Sequence, residues 1–183
     1  MSQIVTVFGS SSPTPDSDAY LEARHLGQQL AAAGFVVATG GYGGTMAAVS
    51  QGAAEAGGHV IGVTSAHMER YRPMPANAWV AEEIRLDSQR DRLLRLVMHN
   101  DAMIALPGGI GTLSEVALAW SLLQTGELSA RPLVLLGTLW RETIRVFAQA
   151  EYIRPRELDL IYLATSPETA VAYVKQSLAG KAG

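Results

Sequence analysis

The run Pro107-Gly108-Gly109-Ile110-Gly111-Thr112-Leu113-Ser114-Glu115 holds the residues best suited to chemistry in this chain. Three glycines, Gly108, Gly109 and Gly111, let backbone N–H groups come close to a ligand. Ahead of them, Ala102 to Leu106 has the apolar character of a buried parallel strand. Behind them, Val116, Leu118, Ala119, Trp120, Leu122 and Leu123 recur at helical spacing. The glycines therefore sit on a strand-to-helix turn, where free N–H groups and the positive end of the helix dipole favour an anion. A phosphate is expected on Gly108, Gly109, Gly111 and Thr112, with Glu115 one turn into the same helix as the reacting group. Thr112 and Glu115 also have the spacing of a capping box, a purely structural use. The ligand reading rests on the whole combination standing at a strand's carboxyl end, where open α/β sheets bind their ligands.

Two more loops have suitable chemistry. Thr39-Gly40-Gly41-Tyr42-Gly43-Gly44-Thr45 is a second glycine-rich turn, in which Gly41, Gly43, Gly44 and Thr45 are candidate phosphate or nucleotide contacts. A structural strand-to-helix turn needs the same small residues. Gly9-Ser10-Ser11-Ser12 follows another strand; Ser10 and Ser11 can bond phosphate or ribose, although serines also serve turns. Neither glycine turn contains Gly-Lys-Ser/Thr, and Met46 stands where a dinucleotide fingerprint would carry its third glycine. A mononucleotide or another small phosphorylated molecule fits better. Arg90, Arg92 and Arg95 on one expected helix can serve a phosphate or a leaving group. The histidines, His25, His59, His67 and His99, lack metal-ligand spacing, and there is no G-x-S-x-G elbow.

The elements that must position these groups alternate. Strands are expected at Ile4–Phe8, Phe35–Ala38, Val60–Val63, Glu83–Leu86, Ala102–Leu106, Pro132–Leu136 and Leu158–Leu163. Helices are expected from Asp16 or Ser17 to Ala33, Met46 to Ala56, Ser88 to Met98, after the central glycine turn to Thr125, Leu139 to Ala150, and from Ser166-Pro167 onward. Thr64 to Ala81 has no clear period and is expected to be a long loop, suited to a lid or an interface. The tail Gly180 to Gly183 is expected to fray. Alternation of this kind argues a parallel sheet with right-handed crossovers.

At 183 residues one domain, spanning 1–183, is expected. Hydrophobic residues at 48% leave material for a subunit interface. A net charge of −3 without a basic run argues against nucleic acid as a partner. No apolar run reaches membrane-spanning length, and Met1-Ser2-Gln3 enters a strand without a signal-peptide pattern; with no cysteine, this suits the cytoplasm.

The sequence resembles the LOG family, which older usage calls "possible lysine decarboxylase". The hallmark P-G-G-x-G-T-x-x-E is matched in full by Pro107 to Glu115. Thr39 to Met46, Gly57 to Val63 and Phe8 to Ser11 also resemble it, so the likeness covers roughly residues 4 to 150. The resemblance implies a Rossmann-like, homodimeric or larger enzyme that cleaves the N-glycosidic bond of nucleoside 5′-monophosphates, cytokinin riboside monophosphates or AMP, to free base and ribose 5-phosphate. It implies a catalytic pair of Glu115 and Arg92, the arginine of a motif close to M-H-E-R-K. In that motif Gln89, Arg90, Asp91 and Leu93 replace Met, His, Glu and Lys.

The expectation is therefore an α/β, Rossmann-like three-layer fold with a parallel sheet of about seven strands. Its function is that of a phosphoribohydrolase needing no metal or redox cofactor, with helices near Arg92 and Trp120 as interface candidates. The altered Gln89–Leu93 motif favours the alternative, a protein that carries a nucleotide or a molybdopterin-type cofactor on the same scaffold without turning it over.

Overall fold

The computed structural model describes residues 2–149 and 152–180. The expected helix end at Ala150 and the tail residues 181–183 lie outside the described residues, as does Met1. In chain order the elements are β1 (Ile4–Phe8), α1 (Asp18–Ala32), β2 (Val36–Thr39), α2 (Thr45–Glu55), β3 (Val60–Ser65) and α3 (Ala66–Tyr71). They continue with β4 (Glu82–Leu86), α4 (Gln89–Met98), β5 (Ala102–Ala105), α5 (Ile110–Thr125) and β6 (Leu133–Leu136). The last are α6 (Thr138–Phe147), α7 (Pro155–Leu158), β7 (Tyr162–Ala164) and α8 (Pro167–Ala179).

The strands form one seven-stranded sheet in the order β4-β3-β2-β1-β5-β6-β7, every pair parallel. Alternating side chains along each strand feed two buried clusters. Val5, Val7, Val37, Ile104 and Leu136 face α1, α2 and α8. Phe8, Met103, Ala105, Leu133 and Leu135 face α4, α5 and α6. This is the three-layer arrangement expected of near-continuous apolar strands covered on both faces.

The topology decides where a ligand can sit. From β1 the chain builds outward to β4, then returns to place β5 on the other side of β1. The order reverses between β1 and β5, so a crevice opens beyond their carboxyl ends. The two strands end level there: Phe8 pairs with Ala105, and Leu106 N–H donates to the Phe8 carbonyl at 3.0 Å. From α6, the Trp140 indole N–H donates to the Leu106 carbonyl at 2.9 Å and pins the end of β5 before the glycine turn begins.

Two expectations need correction, and one structural alternative is not realised. Thr64 to Ala81 is not wholly irregular: β3 runs through Ser65, whose hydroxyl caps α3 by accepting from Met68 N–H. A six-residue helix is too short to show a period. Leu158 to Leu163 is not a strand, because Pro155 at the first helical position and Glu157 in the first turn start α7, which ends at Leu158. Strand β7 begins only at Tyr162. The capping box of Thr112 and Glu115 does not form. Gly109 is the N-cap of α5, so Thr112 falls at the third helical position and Glu115 beyond the first turn. Among the described residues no helix is long and apolar enough to cross a membrane.

Candidate functional site

A cleft of about 270 Å³ lies in the crevice between the ends of β1 and β5. Its floor is made by Ser10, Ser11 and Ser12 after β1 and by Gly109 to Thr112 at the start of α5. Gly109 offers α5 no side-chain cap. The first amides of a sixteen-residue helix therefore face the cleft without a side-chain acceptor at the cap. A Cβ built on Gly109 or Gly111 meets nothing within 4 Å, so the approach to these amides is open. Gly108 does not line the cleft. Its missing side chain makes room for Thr112, whose hydroxyl a Cβ there would strike.

Glu115 reaches the same cleft from α5, because helical side chains lean back toward the N-terminus. It is 7% exposed and has no hydrogen-bond partner among the described residues. Burial pushes its carboxyl up to about 7, with the charge of Arg92 pulling in the other direction. A carboxyl poised there exchanges a proton at neutral pH.

Arg92 projects from α4 and is 6% exposed. Its Nε donates to the Val63 carbonyl at 2.8 Å and its Nη2 to the Gly40 carbonyl at 3.0 Å. The guanidinium stands over the Tyr42 ring, 5.3 Å from the centroid. Burial lowers its pKa, while Glu115 and Tyr42 act the other way. Carbonyls from the ends of β2 and β3 thus fix one edge of the guanidinium, and no contact ion pair ties it to Glu115 among the described residues. Among the described residues Nη1 has no hydrogen-bond partner, and it is not sealed from solvent, which leaves it for a ligand.

The second glycine turn is a support rather than a wall. Gly41, Gly43, Gly44 and Thr45 do not line the cleft, whereas Tyr42 and Met46 between and after them do. Thr45 N–H and hydroxyl both donate to the Ser10 carbonyl, at 2.8 and 3.2 Å, and so set the Ser10–Ser12 loop. Gly44 lies at φ +66° and packs against the Ser10 and Ser11 backbone, where any side chain would collide. Gly40 is bare because Arg92 occupies the space of its Cβ. Asn77, in the segment after α3, holds the turn by donating its amide to the Gly41 and Tyr42 carbonyls, both at 3.1 Å. The Tyr42 hydroxyl accepts from Ser65 N–H at 2.8 Å and donates to the Ser65 carbonyl at 3.3 Å.

The structure thus brings Ser10, Ser11, Arg92, Gly109, Gly111, Thr112 and Glu115 to one cleft. It adds residues not expected as ligand contacts, Gln89 among them although it stands in the altered motif before Arg92. Gln89 comes from α4, Met68 from α3, and Arg72 and Met74 from the segment after it; with Met46 and Tyr42 they make the outer wall. A spacing of three residues from Arg92 was the available signal for Gln89; the long-range partners of Tyr42 and Asn77 left none. Among the described residues no cluster of His, Cys, Asp or Glu could hold a metal ion.

Comparison with known proteins agrees with this architecture. A molybdenum cofactor binding protein from Rippkaea orientalis superposes with a TM-score of 0.76 at 30% identity, covering 97% of this chain and 98% of the other. The molybdenum cofactor carrier protein of Chlamydomonas reinhardtii gives 0.74 at 30% identity, with 98% and 99% covered. A probable cytokinin riboside 5′-monophosphate phosphoribohydrolase of Oryza sativa is 36% identical over 124 residues, 66% of this chain. The match spans about half of that relative's length, 49%. An uncharacterised protein of Archaeoglobus fulgidus is 33% identical over 74% of the chain. Residues 2–170 match the SLOG cluster4 family. With the complete P-G-G-x-G-T-x-x-E hallmark on the turn between β5 and α5 and end-to-end likeness in fold, the chain belongs to the SLOG cluster4 family, of the LOG type.

Proposed function

We propose that the protein is a nucleoside 5′-monophosphate phosphoribohydrolase. The observation that carries this reading is Glu115: a buried carboxyl without a hydrogen-bond partner among the described residues, pushed up to about 7, one helical turn from an open anion cradle. From the first residue of α5 to Glu115 the axial rise is roughly 7.5 Å, and the side chain leans back to shorten it. A 5′-phosphate on the amides of Gly109 to Thr112 therefore carries the ribose to Glu115. The phosphate's binding energy fixes the sugar for reaction. As the N-glycosidic bond breaks, its electron pair leaves with the base and C1′ gains oxocarbenium character. Glu115, ionised, stabilises that charge and takes a proton from the attacking water. Arg92 Nη1 meets the charge on the departing base, which then takes up a proton. Water has added across the bond, and free base and ribose 5-phosphate result.

The outward faces of α4 and α5 suit a homodimer. Leu94 and Met98 on α4, and Ile110 and Leu113 on α5, are exposed apolar side chains. Helix α5 has apolar residues on its outer as well as its inner face, the pattern of a helix covered on both sides. Trp120 turns inward, donating its indole N–H to the Glu157 carbonyl at 2.7 Å.

A second reading, carriage of a phosphorylated pterin such as the molybdenum cofactor, is favoured by one observation. The likeness to cofactor-binding proteins runs end to end, whereas the plant enzyme matches over part of its length. Incubation of purified protein with AMP separates the two. The hydrolase gives adenine and ribose 5-phosphate by chromatography, and Glu115→Gln gives none. Intact AMP, with a fluorescent oxidised pterin recovered from the purified protein, overturns the hydrolase in favour of the carrier.

A further inference from the structure

Tyr42 is the one residue with a side chain in the run Gly40-Gly41-Tyr42-Gly43-Gly44, and it is buried. A tight strand-to-helix turn needs no aromatic residue, so the ring calls for another explanation. It is fixed at both ends. The Asn77 amide donates to the Tyr42 carbonyl, and both backbone groups of Ser65, at the end of β3, hold the Tyr42 hydroxyl. Burial keeps that hydroxyl above the ordinary phenol range, so the ring stays neutral at working pH.

Its neighbour supplies that explanation. The Arg92 guanidinium lies over this ring, and burial makes its charge costly. Two backbone carbonyls and the Met46 sulfur, 4.0 Å from Nη2, occupy Nε and Nη2. The negative face of the ring compensates the charge further without using a donor. Glu115 is the remaining source of compensation. The charges of the two residues act on each other, yet no ion pair joins them among the described residues. A guanidinium deprived of its ring recovers the lost attraction by turning its free edge to that carboxylate. The other charged groups here are Arg72 in the cleft lining, and Glu69 on α3 and Glu83 on β4, which act on Tyr42. Both carboxylates are engaged, Glu69 by Arg85 and Glu83 by the Thr64 hydroxyl.

We propose that Tyr42 is a positioning residue for the cleft: its ring holds the Arg92 guanidinium open toward a ligand and keeps it from closing on Glu115. The tyrosine acts through Arg92 and takes no part in bond breaking. Its effect on turnover rests on the hydrolase reading; its effect on Glu115 does not. Loss of the ring brings Arg92 onto Glu115, which draws the carboxyl down, and withdraws Nη1 from the departing base.

The test places phenylalanine, pentafluorophenylalanine and leucine at position 42. Tyr42→Phe keeps the ring and its negative face, the fluorinated ring keeps the shape without that face, and Tyr42→Leu loses both. The first readout is the titration of Glu115, followed by carbon-13 NMR of protein labelled at the glutamate carboxyls, with Glu115→Gln identifying the signal. Wild type and Tyr42→Phe should titrate near 7. The fluorinated protein and Tyr42→Leu should titrate lower by about one pH unit or more, the pull of an opposite charge in contact. The second readout is kcat/KM for AMP against pH. Its acid limb, where Glu115 ionises, should move down with the signal in those two proteins, while kcat/KM at pH 8 drops about tenfold or more. A merely structural tyrosine would cost stability and move neither limb nor signal. A signal that stays near 7 in the fluorinated protein overturns the proposal. Because that ring fills the same space, this outcome is readable even where Tyr42→Leu fails to fold. A signal that falls as far in Tyr42→Phe as in Tyr42→Leu also overturns it, by giving the role to the hydroxyl. A shifted signal in a protein that leaves AMP intact overturns the hydrolase and keeps the positioning.

Discussion

Replacing Glu115 by glutamine should stabilise the protein, and the gain should depend on pH. The carboxyl titrates near 4.5 when unfolded and near 7 when folded. Between those values the folded state holds a proton that the unfolded state has released, so stability falls as pH rises and levels off above about 7. The full effect is about 3 kcal/mol, from roughly 1.4 kcal/mol per pKa unit. About 2–3 kcal/mol of this falls between pH 5 and 8. For a chain of this size that is roughly 5–10 °C in melting temperature. Glutamine has nearly the same shape and never ionises, so the difference between the two proteins isolates this one titration. Scanning calorimetry of wild type and Glu115→Gln from pH 5 to 8 should show the melting temperatures diverging, with the variant higher at pH 8. A constant difference across that range would refute the reasoning, since it would mean an ordinary carboxylate, solvated or paired. A purely structural residue in a cap should cost stability when changed; a reacting group should cost turnover and return stability.

Gly109→Val should leave the melting temperature within a few degrees, because its Cβ enters open space, yet weaken AMP binding at least tenfold by calorimetry through blocking the α5 amides. Gly44→Ala should destabilise by about 2 kcal/mol or more in urea unfolding, since φ of +66° and the Ser10–Ser11 backbone both oppose a side chain. Leu113→Arg, on the outward face of α5, should convert a homodimer to monomer in light scattering; an unchanged mass would place the interface elsewhere.

The layered fold was legible because strands buried on both faces read as short, largely apolar runs, and those at Ile4–Phe8 and Ala102–Ala105 are each bounded by a glycine turn. Glu115 and Arg92 were legible through a dense local signature and the family resemblance it supports. The capping-box alternative was open in the sequence because its chemistry is local and sufficient in itself, while the actual N-cap, Gly109, has no side chain to announce it. The supporting role of Gly44 and Thr45 was hidden for a different reason. Their partner is the Ser10 carbonyl, 35 residues from Thr45, and only the juxtaposition of β1 with β2 creates that contact. Helices α3 and α7 were missed because six and four residues cannot establish a period.

The pair Glu115 and Arg92 is itself an argument about function. An arginine buried to 6% exposure beside a buried carboxyl would ordinarily close an ion pair, which would draw the carboxyl below its usual range. Here the backbone carbonyls of Val63 and Gly40 hold the guanidinium instead. The carboxyl receives only a partial electrostatic offset and stays near 7. That arrangement gives up the stability of a closed pair and keeps two groups unspent, a proton-exchanging carboxyl and a free guanidinium edge, on either side of a cleft floored by helix amides. A carrier of a phosphorylated ligand gains from the amides and the guanidinium but gains nothing from a carboxyl that ionises beside its anion. Hydrolysis uses all three. If the chain is a carrier, Glu115→Gln should hold the anionic ligand at least as tightly as the wild type at pH 8, with no function lost. If it is a hydrolase, the same substitution should bind AMP comparably and release no base, so binding and turnover measured on one variant decide between them.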